Sequence, residues 1–248
     1  MSTKDRREFE KDNRRNDILN AAENLFFSQG FENVSLNEIA KKVHLGRSTI
    51  YLYFENKEEL FFAIVLRGAL ILHKFVNEEV QKVDSSIEKL AAFRKAYYNF
   101  ANNYPDHLKS YNYLFSGRFD VGAFEKTEHK ISSIAESKYY KEYKKLLNGN
   151  LKFFPIPKYT AGEYLNEIVC LRSEMLDILC KSIEQGKGEG IIRQDINSAE
   201  ATVLLTLIAN SIDNLSPDLK YLLHSQEIDH RQFLMDVGEL IGYMVSNR

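Results

Sequence analysis

Proline and glycine are scarce in this chain, at 4 and 12 of 248 residues. Turn formers this rare argue against a many-stranded β protein, which reverses direction often. Cysteine is scarcer still, with Cys170 and Cys180 the whole supply. Ten residues on one helix place them about 15 Å apart, too far to bridge. No disulfide framework is possible, and a reducing, cytoplasmic location is expected. An excess of either charge is also lacking. The 33 Lys and Arg against 35 Asp and Glu leave a net charge of −2. That excludes a histone-like polycation, so any nucleic-acid contact must come from a local patch. Long apolar runs are missing too. Residues 60–72 are broken by Arg67, and 199–209 contain Glu200, Thr202 and Thr206. Both fall short of the roughly 20 residues of a membrane span; they read as buried helices, and no membrane partner is expected. The first fifteen residues mix both charges with no apolar segment behind them, which is not a signal peptide.

Catalytic and metal signatures are absent as well. The six histidines (44, 73, 107, 129, 224 and 230) lie in no HExxH or CxxC context. Gly186-x-Gly188-x-Gly190 lacks the GK[ST] ending of a phosphate loop, and no GxSxG elbow occurs. No enzyme activity, cofactor or metal is expected.

What remains is a chain with 44% apolar and 27% charged residues, ordinary for a packed globular protein. Its helix starts are well marked. Ser35-x-x-Glu38, Ser85-x-x-Glu88 and Thr160-x-x-Glu163 match the capping box, in which a hydroxyl takes an orphan N–H and a Glu three residues on reaches back. Asn56-x-x-Glu59, Asn197-x-x-Glu200 and Asp229-x-x-Gln232 are looser versions. Each precedes apolar residues at helical spacing, so the expected fold class is all-α.

The first helix is expected from about Arg14 to Ser28, with Ile18, Ala22 and Leu25/Phe26 on one stripe and Gly30 as its left-handed stop. A short helix follows Ser35. The turn His44-Leu45-Gly46 leads to another over Arg47 to about Phe54, and a fourth runs from the Asn56 cap to about Phe75. Longer amphipathic segments are expected at about 86–103, 107–117, 121–147, 161–186, 198–213 and 230–246. A glycine loop at 186–190 and the Ser216-Pro217 break separate the last three.

Two short helices joined by a three-residue turn, with a third packed across them, describe a helix-turn-helix. Ala40 is small, so the second helix can cross closely. Leu45 and Ile50 plug the angle between the pair. Arg47, Ser48, Thr49, Leu52 and Tyr53 are left outward on a helix that fits a major groove. Residues 18–66, above all Phe31 to Leu60, resemble the DNA-binding domain of TetR-family transcriptional repressors. The resemblance rests on Gly30-Phe31, the capping Ser35, Ile39-Ala40, Thr49-Ile50-Tyr51-x-Tyr53-Phe54 and Lys57-Glu58-Glu59-Leu60. His44, Gly46 and Ser48 stand where the family usually has Gly, Ser and often Gly. His44 is thereby expected at positive φ and Gly46 as a helix N-cap.

The resemblance implies an N-terminal tail at 1–13, a helix-turn-helix domain at 14–60 and a larger helical domain at 61–248 for ligand binding and dimerisation. It implies phosphate contacts by Ser35, Tyr51, Tyr53 and Lys57. Arg47, Ser48, Thr49 and Leu52 are the candidates for base edges and thymine methyls, with Arg47 the reader of guanine. Residues 1–60 carry ten positive and eleven negative charges, so a working DNA face needs Glu23, Glu32 and Glu58 turned away from phosphate.

One recognition helix reads few base pairs, so a two-fold homodimer on a palindromic operator is expected. Its interface candidates are Leu165, Ile168, Arg172, Leu176, Leu179, Val203 and Leu207, from helices with more than one apolar face. The aromatic residues Tyr97, Phe100, Tyr104, Tyr111, Phe115, Tyr139 and Tyr143 are the candidates for a pocket holding a small apolar or aromatic effector. The expected function is a dimeric, double-stranded-DNA-binding regulator, a repressor released by that effector. The alternative is a helical small-molecule- or protein-binding module with a vestigial DNA domain, suggested by the departures at His44 and Gly46.

Overall fold

The computed structural model describes residues 3–119, 156, 158–212 and 215–246. The described residues are helical, with no strand among them. The helices are α1 (Thr3–Gln29), α2 (Leu36–Lys42), α3 (Arg47–Ile50), α4 (Lys57–Val80), α5 (Ser86–Asn103) and α6 (Pro105–Tyr113). Then come α7 (Ala161–Gly188), α8 (Ser198–Ile212), α9 (Pro217–Ser225) and α10 (His230–Val245). None of the described helices is long and apolar enough to cross a membrane.

Every capping pattern read from the sequence forms. Ser35 and Glu38 make the reciprocal box. The Glu88 and Glu163 amides point to the Ser85 and Thr160 hydroxyls at 3.4 and 3.3 Å. Asn56, Asn197 and Asp229 accept from the Glu59, Glu200 and Gln232 amides at 2.8, 3.1 and 2.8 Å. Gly30 stops α1 at φ 83°, a backbone conformation that glycine adopts without strain.

The differences lie at helix ends. α1 begins at Thr3, so the stretch expected as a tail before residue 14 is helical. α6 starts at Pro105, which suits a first helical position where the N–H has no partner anyway. It continues as a π turn, Leu114–Arg118, that closes on Gly117 at φ 82°. α7 runs through Gly186, because Ile192 packs where a Cβ at 186 would stand, 2.6 Å from its Cδ1. Pro217 opens α9, a helix where only a break was expected. The expected segment 121–147 lies outside the described residues.

The chain divides into two compact units: residues 1–75 with 96–174, and residues 76–95 with 175–248. In the first, Ile18, Leu19, Ala22 and Phe26 of α1 are buried with Ile39 and Ala40 of α2, Ile50, Phe54 and the apolar run of α4. An aromatic cluster of Phe26, Phe31, Phe61, Phe62, Tyr113 and Phe119 joins the end of α1 to α4 and α6, with Phe61 stacked on Phe119 at 5.4 Å. In the second unit, Met175, Leu179, Ile183 and Ile192 are buried. The Ile191 and Ile192 amides close onto the Gly186 carbonyl, and Arg193 donates its amide to Val245, tying the loop after α7 to the end of α10.

Candidate nucleic-acid interface

The turn between α2 and α3 is set by local chemistry. His44 takes φ 55°, as its place in the turn predicts. Its amide bonds the Lys41 carbonyl, and the Leu45 amide bonds that of Ala40 at 2.9 Å. Gly46 then caps α3 with extended backbone. The regular helix ends at Ile50, shorter than expected. Tyr51 to Phe54 continue it as a tighter turn, with the Tyr53 and Phe54 amides both on the Ile50 carbonyl. Ile50 and Phe54 are buried, which fixes the opposite side outward.

That outward side carries the expected reading residues. Arg47, Ser48, Tyr51 and Leu52 are exposed, and Thr49 and Tyr53 are half-buried. Leu52 is 70% exposed, an apolar side chain with no place in this chain's core. Arg47 lies along Tyr51. Its Nη2 donates to the phenol oxygen at 2.9 Å, and its guanidinium sits 5.5 Å from the ring centre. This i,i+4 pairing holds the long arginine in one direction, lowering the entropy lost on contact.

Two of the expected phosphate contacts have partners within the chain. Ser35 donates its hydroxyl to the Glu38 carboxylate at 2.7 Å and accepts from the Glu38 amide at 3.3 Å. These bonds hold the Glu38 carboxyl below its ordinary range, so an anion stands beside the hydroxyl. Lys57 is drawn inward: its ammonium donates to the Phe31 carbonyl at 2.9 Å and lies 4.2 Å from the Phe31 ring centre. It pins the loop after α1.

Acids that would oppose DNA are engaged elsewhere. Glu23 pairs with Arg67 of α4 at 2.6 Å, and Glu32 accepts from the Tyr113 hydroxyl. Burial and that carboxylate both raise the Tyr113 phenol, so the bond keeps its proton. Glu58 stays exposed.

A residue overlooked in the sequence completes the support. Arg15 is buried, donates to the Ile156 carbonyl at 2.8 Å and to the Tyr164 hydroxyl, and places its guanidinium 4.8 Å from the Phe54 ring centre. It braces the end of the reading segment against α1. Position 15 shares the apolar face of Ile18, Leu19 and Ala22, and that register was the available signal.

The pocket candidates separate. Phe100 and Tyr104 stack at 5.7 Å, with Phe75 on both. Tyr111 and Phe115 form a second pair at 5.1 Å, and Arg172 lies 4.1 Å from the Phe115 ring centre. Burial raises the Tyr111 phenol while the neighbouring Arg172 opposes that rise. Tyr97 is half-buried. Tyr139 and Tyr143 lie outside the described residues.

The interface candidates divide as well. Leu165, Ile168 and Leu179 are buried within this chain. Arg172 is turned to Tyr111 and Phe115, and Leu176 is half-buried. On α7 these stripes face the chain's own core. Val203 and Leu207 of α8 are each 58% exposed.

Comparison with known proteins agrees with this geometry. Residues 18–64 match the family described as bacterial regulatory proteins, tetR family. A stretch of 78 residues is 34% identical to the HTH-type transcriptional regulator YfiR of Bacillus subtilis, covering 32% of this chain and 35% of that protein. The chain thus spans about a third of that relative's length. The fold of a tetR-family regulatory protein from Rhodococcus RHA1 matches with a TM-score of 0.62 over 95% of this chain and 98% of the other, at 16% identity. That of AibR, solved with isovaleryl coenzyme A and operator DNA, matches with a TM-score of 0.57 over 92% and 97%, at 18% identity. Residues 18–64 are thus similar to the DNA-binding domain of the tetR family of bacterial regulatory proteins, and the chain shares the fold of solved proteins of that family.

Proposed function

We propose that this protein is a DNA-binding transcriptional regulator, a repressor that reads a palindromic operator as a homodimer and is released by a small effector. The observation that carries the reading is the Arg47–Tyr53 face. Polar and aromatic side chains point outward from a short helix whose other side, Ile50 and Phe54, is 0% and 1% exposed. Such a helix is held rigidly and offers donors for base edges and phosphates together. Arg47 reads guanine, and Leu52 meets a thymine methyl. Ser48, Thr49, Tyr51 and Tyr53 supply the remaining contacts.

Dimerisation follows from the apolar side chains left on the surface of the second unit. Val203, Leu204 and Leu207 of α8, with Met235, Leu240, Tyr243 and Met244 of α10, are all exposed. An apolar surface of this kind marks an interaction site. The effector acts on the helical domain and shifts the population toward a state that binds the operator less well. The AibR structure, which holds both a coenzyme A thioester and operator DNA, supports an effector of this general kind. The vestigial-domain alternative loses its motive, since His44 and Gly46 build an intact turn.

Selection of random duplexes by the full chain tests the reading. A palindrome with half-sites about one helical turn apart is expected. Arg47→Ala should cost about 1–3 kcal/mol on the selected duplex and little on random DNA. Recovery of no preferred sequence would overturn the proposal.

A further inference from the structure

The stretch of α1 ahead of the family match, Thr3 to Asp17, carries its charges in order. Arg7, Lys11 and Arg14 follow one another at i,i+4 and i,i+3, the spacing of one helix face. The same seam continues into Ile18 and Ala22, both buried among the reading helices' supports. The basic seam is therefore the overhang of the face by which α1 holds the helix-turn-helix. Arg7, Lys11 and Arg14 are all exposed, and none takes part in an ion pair with the described residues.

Its opposite side is identified by contacts. Asn20 and Glu23 meet Arg67 of α4, and Phe27 meets His107 of α6 at 4.9 Å. At 3.6 residues per turn, Arg7, Lys11 and Arg14 lie about half a turn from these three positions. The acids Asp5, Glu8 and Asp12 form a separate stripe closer to the α4 and α6 side, and Glu10 is held by Arg6 at 2.9 Å. The basic seam thus points away from α4 and α6. At the Arg15–Phe54 contact α1 also touches the end of the reading segment.

Like charges at these spacings weaken a helix, each pair by a few tenths of a kcal/mol. A local penalty on a solvent-facing seam is relieved when a polyanion covers it. Arg7 to Arg14 spans about 10 Å of helix, and four successive phosphates of one DNA strand, three steps of about 3.4 Å, span a similar axial rise.

We propose that the Arg7–Lys11–Arg14 seam of α1 is a second DNA contact, lying on the phosphate backbone beside the groove that α3 enters. This rests on the DNA-binding reading above and adds to it: affinity from phosphates outside the base-reading segment, with no sequence preference of its own.

The test compares the full chain with the triple variant Arg7→Gln, Lys11→Gln, Arg14→Gln on a duplex selected by the full chain. Each lost phosphate contact flattens the slope of log K against log[salt] by about 0.9, so two subunits should lose about 5. Hydroxyl-radical footprints should lose backbone protection at both outer edges and keep the centre. The partner variant Asp5→Asn, Glu8→Gln, Asp12→Asn should leave slope and footprint unchanged. Helicity and sedimentation confirm that both variants fold and dimerise as the parent does. A triple variant with the parent slope and footprint overturns the seam and leaves the operator reading standing. A slope change of equal size and opposite sign in the acid variant also overturns it, since net charge alone would then be responsible. A parent chain that binds no duplex overturns both.

Discussion

Helices α4 and α8 are both apolar almost all round, and the structure treats them oppositely. From Glu59 to His73 every residue of α4 is buried. Among the described side chains of α8 only Ser198 and Thr202 are, and these are polar. Thr202 hands its hydroxyl to the Ser198 carbonyl at 2.8 Å, so the side of α8 that meets its own chain is the hydroxyl side. Val203, Leu204 and Leu207 are left to water. The pair teaches that all-round apolarity marks a helix surrounded by protein without saying whose protein. In α4 the surroundings belong to the same chain. In α8 they are missing, and the dimer proposed above supplies them.

The sharpest way to break this comparison is Val203→Glu with Leu207→Glu. Four carboxylates would enter an apolar interface across two subunits, each without a partner. The dimer should weaken by about a thousandfold or more, roughly 4 kcal/mol, as read by sedimentation across a dilution series. The monomer's helicity should hold, because surface substitutions rarely exceed about 0.5 kcal/mol. An unchanged dimer would remove α8 from the interface.

Leu66→Ala tests the other member of the pair. Leu66 is fully buried in α4, so a cavity should cost about 3–4 kcal/mol, visible in urea unfolding. The loss should be the same when the chain is assayed below its dimer dissociation constant. A loss that disappears on dilution would mean that α4, too, depends on a second subunit.

The smallest effect falls on α7, whose stripes face inward and whose rim is half-buried. Burial first, then Glu167 and Glu174, push the Cys170 thiol up to about 11. The thiolate is the reactive form, and its fraction grows about tenfold per pH unit below that value. In a Cys180→Ser background, iodoacetamide should modify Cys170 slowly near neutral pH and tenfold faster for each unit of alkali until about pH 11. A rate that levels off near pH 8 would show the thiol in an open, unperturbed setting.

Much of the architecture was legible because helix signals are local. A Ser or Asn three residues before a Glu needs only its own backbone to form a cap, and each such cap is present. Positive φ at His44 was implied by the glycine that the resembling family usually has there, and His44 takes it at φ 55°. The reading face was legible too, since Ile50 and Phe54 left only one side for Arg47, Tyr51 and Leu52. The partner of Lys57 was not legible. A lysine on phosphate and one on the Phe31 carbonyl look the same in a sequence. The burial of Leu165, Ile168 and Leu179 was not legible either: an apolar stripe is equally satisfied by its own core or by another subunit.

The order of residues by itself determined where helices begin, where the chain turns at 43–46 and which side of the short third helix turns outward. These follow from backbone hydrogen bonding and from the period of apolar positions, both of which operate over a few residues. Only the tertiary structure decided which apolar faces are consumed internally, that Glu23 pairs with Arg67 while Glu32 accepts from the Tyr113 hydroxyl, and that Arg15 is a brace while Arg7, Lys11 and Arg14 stay in solvent. Those outcomes depend on groups tens of residues away, as Arg15 on Tyr164 shows, and the energy of a charge is set by what surrounds it in space.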